Sequence, residues 1–263
     1  MPGFAGLFAL ALCPGMPEPK RSAEDDPKSH PRHNPMKTFL ERRFYFAMAV
    51  LTAAVVVIGF APKFDARMLH PSHPAPISLW VHTVVFTGWV ILLLVQTGLV
   101  QAGKASLHRT LGMASSILGV VLPIVGAWVA IDTGHEKVLE GKTGGESFLL
   151  VPLSDMVFFA ALFGLGLWWR KRPELHRRLM LLASVSLTVA AFARFPKYIV
   201  PGGHFNIACD LMILLAVGRD LVVDRRVHRV YLIGLPLLIL GQVTTELVRQ
   251  SAWWLSVASS ILK

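Results

Sequence analysis

Cysteine is nearly absent: Cys13 and Cys209 are the whole inventory, so no disulfide framework, Cys-pair zinc site or Cys-x-x-Cys-His haem attachment can be built. Charge is scarce as well. Asp, Glu, Lys and Arg fill 16% of the 263 positions, against about 25% in an ordinary soluble domain. P-loop, His-Glu-x-x-His and nucleophile-elbow patterns are missing, and the Gly-x-Gly of "FGLGLWW" falls inside an apolar run rather than at a strand-to-helix turn. Those gaps remove the common nucleotide-dependent and hydrolytic enzymes. A membrane-embedded hydrolase is disfavoured for the same reason, because no zinc motif stands out.

What the chain has is grease. Hydrophobic residues make up 54% of it and the mean hydropathy is +0.55. Several runs approach the ~20 residues that carry a helix across a bilayer core. The reading is an all-α integral membrane helical bundle of about seven transmembrane helices, with spans near 44–61, 77–100, 110–131, 148–169, 178–195, 204–222 and 230–248. Residues 36–263 form this single transmembrane domain. Residues 1–35 differ: "FAGLFALALC" is too short to span, no basic stretch precedes it, and a proline-rich charged segment follows. They read as a disordered tail or a misassigned upstream extension, with a cleaved signal as the alternative. The segment "SAWWLSVASSIL" either prolongs the seventh helix or lies at headgroup level.

The formal charge of +10 does not call for nucleic acid, because its placement is topological. With the seven spans drawn, one set of loops, together with residues 36–43, holds 14 Lys and Arg and the opposite set holds five. The positive-inside rule then puts the N-terminus in the cytoplasm and the C-terminus outside, in a bacterial inner membrane. The lipid bilayer is the one partner the sequence identifies.

Polar residues inside or at the mouths of the spans carry the functional signal. "SLHRTLG" and "ELHRRLM" set His108 and His176 at helix starts on the basic side, inside the same Leu-His-Arg-x-Leu frame. Arginines there serve as headgroup anchors, but histidine is a poor anchor. Gly112, Ser115, Gly119 and Gly126 follow His108 on one helical face; they allow either close helix packing or room for a flat group such as a porphyrin. On the opposite side His82 heads a face running through Phe86, Trp89 and Gln96, with Asp155, Asp210, Arg194 and His204 at comparable depth. Arg194 is expected to pair with Asp155 or Asp210. His70 and His73 of "HPSH" read as loop residues, as do His135 and His228.

At "LWVHTVVFTGWVILLLVQTGLVQAGKASLHRTLG" and "ELHRRLMLLASVSLTVAAFARF" the chain resembles a group of uncharacterised bacterial polytopic membrane proteins, over about residues 40–250. It is only loosely similar to diheme transmembrane cytochromes b; the position 14 residues beyond His82, where such proteins commonly carry a second ligand, is Gln96. Three functions follow. The first is a b-haem or metal-linked redox protein, with His82 and His204 as outer ligands and His108 and His176 as inner ones. The second is a small-solute or proton-coupled transporter using Asp155, Arg194 and Asp210. The third is a non-catalytic assembly or scaffold protein.

Overall fold

The computed structural model describes residues 39–41, 43–70, 74–201 and 204–263. The tail expected over 1–35, and His73, lie outside them. Among the described residues the chain is all-helical. In chain order the helices are α1 (Phe44–Phe64), α2 (Ile77–Gln101), α3 (Ala105–Leu139), α4 (Gly145–Trp168), α5 (Pro173–Ser186), the single turn α6 (Val189–Phe192), α7 (Phe205–Val223), α8 (Arg229–Val248) and α9 (Ala252–Ile261); a π-helical turn, Asp65–Leu69, ends α1.

Among the described residues, six segments are long and apolar enough to cross a membrane: Phe44–Pro62, α2, α3, α4, Pro173–Phe192 and α8. This makes the chain a membrane protein in a lipid bilayer. The seventh expected span corresponds to α7, which has the length but carries Asp210, Arg219 and Asp220. It still runs the height of the bundle: Asp210 accepts from Gln242 near the end of α8, and Asp220 accepts from the backbone of His228 just before α8 begins. The bundle's outer surface is apolar where lipid would lie, with Val57, Val84, Ile117 and Ile124 each more than half exposed.

Pro173–Phe192 is the central span. In its most apolar stretch 72% of residues are buried, against 11% for α2. It is also the least apolar span, and the two facts belong together: a helix wrapped in protein can keep Ser184, Ser186 and Thr188 because its surroundings are other helices. The expected continuous helix over 178–195 is broken after Ser186, and Thr188 turns its hydroxyl back onto the carbonyl of Val185. Close approach is needed where α1 passes this break. A Cβ on Gly59 would stand 2.5 Å from the carbonyl oxygen of Ala191, so only glycine fits.

Two expectations change. The polar stretch 132–147, between the expected spans 110–131 and 148–169, is mostly helix, because α3 continues to Leu139. Its polar residues find partners there: Asp132 accepts from Ser78, Glu136 pairs with Arg67 at 2.5 Å, and His135 Nδ1 meets the Leu262 carbonyl at 2.7 Å. The C-terminal segment neither prolongs α8 nor lies flat at the surface throughout. It forms a separate helix, α9, started by Ser251 accepting from Trp254 N at 3.2 Å. Trp254 is buried and donates its indole N–H to Glu146 O at 3.0 Å, while Trp253 faces out.

Candidate functional sites at the two ends of the bundle

The helix starts of α1, α3, α5 and α8 and the ends of α2, α4 and α7 share one face, here the basic end. Its centre is an ion network that anchoring does not explain. Arg178 is 1% exposed. Its guanidinium donates to both oxygens of Asp220, at 3.0 and 2.8 Å, to Asp224 at 3.1 Å and to Glu174 at 2.5 Å. Arg219 reaches the same two aspartates at 2.9 and 2.7 Å. Tyr45 of α1 lies against this group, with the guanidinium carbon of Arg177 5.2 Å from its ring centre and that of Arg219 5.9 Å away. The network ties α5 to α7. The sequence reading of Arg178 as a headgroup anchor is thereby corrected. Charge at a membrane mouth usually snorkels, but Arg178 points inward because Asp220 offers a bidentate partner in the protein.

His228 borders the same network. Burial, reinforced by Arg178, pushes its imidazole down to about 4, while Asp220 and Glu174 act in the opposite sense. Its Nδ1 accepts the Val230 backbone N–H at 3.2 Å and so caps α8. Folded His228 therefore stays neutral where the unfolded side chain, near 6.5, takes a proton. Its contribution to stability is complete above about pH 6.5 and is lost as pH falls toward 4. The expected result is a melting temperature in detergent that drops between pH 7 and pH 4.5, with a visibly smaller drop in His228→Gln.

Beside the network, His108 and His176 come together, with ring centroids 6.2 Å apart at an interplanar angle of 69°. His176 Nδ1 lies 2.8 Å from the carbonyl of Gly166 on α4. With its amide turned to satisfy both neighbours, Gln96 donates to His108 Nδ1 at 2.5 Å and accepts from Gly112 N at 3.0 Å. Gln96, placed in sequence on the face of His82, thus belongs to this end.

The small-residue face of α3 is filled at its middle. A Cβ on Gly119 would run into the ring of Phe163, and one on Gly126 into Met156. These two notches serve helix packing.

At the opposite end the expected pair does not form. Arg194 donates to Ala190 O and lies over Phe60, its guanidinium carbon 4.4 Å from the ring centre, and no ion pair joins it to Asp155 or Asp210 among the described residues. His82 stacks on Phe86 at 4.0 Å with its buried Nδ1 unpartnered. His204 is exposed, immediately before α7.

The carboxylates gather elsewhere. A cavity of about 20 Å³ between α4, α7 and α8 is lined by Ser154, Asp155, Asn206, Gln242, Thr245 and Glu246. That is room for water. Glu246 is held by Arg249 at 2.6 Å. Asp210 has the Gln242 amide at 3.1 Å and no cation. Asp155 makes no hydrogen bond or ion pair among the described residues, although it sits roughly 15 Å along α4 at 1.5 Å per residue. Gln242 and Glu246 lie in the stretch "GQVTTELVR", whose polarity blurs the end of a span and hides a helix face in the sequence.

Comparison with protein-family models, with curated proteins and with solved structures finds no match to this chain. Its chemistry is therefore argued from the sites.

Proposed function

We propose that the chain is a proton-coupled membrane carrier of a small solute, with Asp155 as the proton-bearing group and Asp210, bonded to the cavity-lining Gln242, as a second carboxyl. One observation carries this reading: Asp155 is an ionisable side chain deep in a spanning helix, bordering a small cavity, with no partner among the described residues. A carboxylate in lipid is expensive, and an unpaired one neutralises by taking up a proton. A scaffold needing polarity only for packing would have paired Arg194 with an acid. The redox reading loses support where side chains fill the face of α3. The Arg178–Asp220 network closes the basic end in this account, and the cavity at Asp155 has room only for water, so the conformation described here is an occluded one.

The test is flux. Purified protein in vesicles loaded with a pH-sensitive dye is exposed to an imposed proton gradient with a panel of small organic acids, amino acids and amines. At least one solute should speed dissipation of the gradient well beyond that in protein-free vesicles; no acceleration by any class would refute the carrier reading.

In orientation, the basic end is placed in the cytoplasm, in a bacterial inner membrane. A membrane-impermeant amine reagent applied to intact cells should label Lys142 and spare Lys104. The reverse pattern would invert the molecule.

A further inference from the structure

We propose that His108 and His176 together hold one transition-metal ion at the basic end, independently of the carrier reading. The shared Leu-His-Arg-x-Leu frame then has a physical meaning: α3 and α5 start at the same face, and each frame aims one imidazole at the other. Both Nδ1 atoms are occupied by the protein. His176 Nδ1 has the Gly166 carbonyl at 2.8 Å, and His108 Nδ1 has the Gln96 amide at 2.5 Å. A backbone carbonyl accepting from one ring nitrogen is a usual way a metal-ligating histidine is oriented, because it fixes the tautomer and leaves Nε2 as the ligand. The Gly166 carbonyl does this for His176. His108 Nδ1 instead accepts from the Gln96 amide, so its proton rests on Nε2 and binding there requires the other tautomer.

With metal–nitrogen bonds of roughly 2.0–2.1 Å, two imidazoles on one ion have ring centres about 5–6 Å apart, so the rings, at 6.2 Å, need to close by a few tenths of an ångström or hold the ion at a wide angle. Gly166 allows the approach: a Cβ there would meet Met180 Sδ at 2.9 Å, so glycine lets α5 press onto α4 and bring His176 under the Gly166 carbonyl. Among the described residues no third His, Cys, Asp or Glu completes a cage. The remaining coordination positions are then left to water or an incoming ligand, as in open metal sites. Arg109 is the adjacent like charge and is exposed to solvent screening, while Arg177 is held by Glu174 at 2.5 Å. Neutral imidazoles select copper, zinc or nickel over magnesium and calcium.

The test uses the full-length protein in detergent, titrated with Cu(II) and followed by electron paramagnetic resonance. One equivalent should bind with hyperfine structure from two nitrogens. His108→Gln and His176→Gln should each abolish the two-nitrogen pattern, and His70→Gln and His82→Gln should keep it. Gln96→Leu, which removes the donor that keeps the His108 proton on Nε2, should shift the affinity by about tenfold, towards tighter binding. Retention of the two-nitrogen signal in either His108→Gln or His176→Gln would overturn the site. If those variants fail to fold, unchanged affinity in Gln96→Leu would overturn it instead.

Discussion

Replacing Arg178 with Met should lower the melting temperature in detergent more than any other single change at the basic end. The substitution keeps an unbranched apolar stem and removes the bidentate donor from Asp220, which is itself fully buried. Asp220 would retain Arg219, at 2.9 Å, but its other oxygen would lose its guanidinium. Breaking a buried ion pair from one side typically costs about 3–5 kcal/mol, because a charge is left in a medium that cannot solvate it. In Arg178→Met with Asp220→Leu, the uncompensated carboxylate is gone and Arg219 still has Asp224 at 2.7 Å. Much of the lost stability should return. If Arg178→Met melts with the parent, the arginine is an anchor at the headgroups after all, and the network has no structural weight.

The second large effect belongs to Asp155. Asp155→Asn should leave the melting temperature near the parent's, since no ion pair or hydrogen bond is removed. It should abolish solute-linked proton flux, reducing the rate at least about a hundredfold, the low end of what a positioned proton-transfer group contributes, on the order of 10²–10⁴. Asp210→Asn should be milder, because the Gln242 amide can bond to an amide oxygen as it does to the carboxylate. Asp155→Glu should keep part of the flux. A strongly destabilised Asp155→Asn with intact flux would mean that the carboxyl serves packing alone.

These two residues also show how far the sequence carries. Spans bounded by charge or proline were legible nearly to the residue. The expected 77–100 is Ile77–Gln101, and 230–248 is Arg229–Val248, with Pro236 accommodated inside the helix. The end of α3 was not legible: Asp132 and Glu136 read as loop residues until Ser78 and Arg67 supply their partners from α2 and the turn after α1. Asp155 announces itself, because a lone acid in an apolar run has few explanations. Arg178 is hidden for the opposite reason. Arginine at a membrane mouth is what the positive-inside rule leads one to expect, and its inward turn depends on Asp220, 42 residues away. The Arg194 pairing failed because depth along a helix says nothing about which side of it a residue occupies.

The central claim is that Asp155 carries a proton within the membrane, and a hydrophobic carbodiimide reads this directly, since it attacks protonated carboxyl groups from the lipid phase. Membranes treated at pH 7.5 and analysed by peptide mass spectrometry should show an adduct on Asp155, with Asp220 unmodified because both of its oxygens are held by arginine. The same treatment should stop proton flux in vesicles. If Asp155 stays unmodified while flux persists, the proton travels by another route and the account fails at its centre.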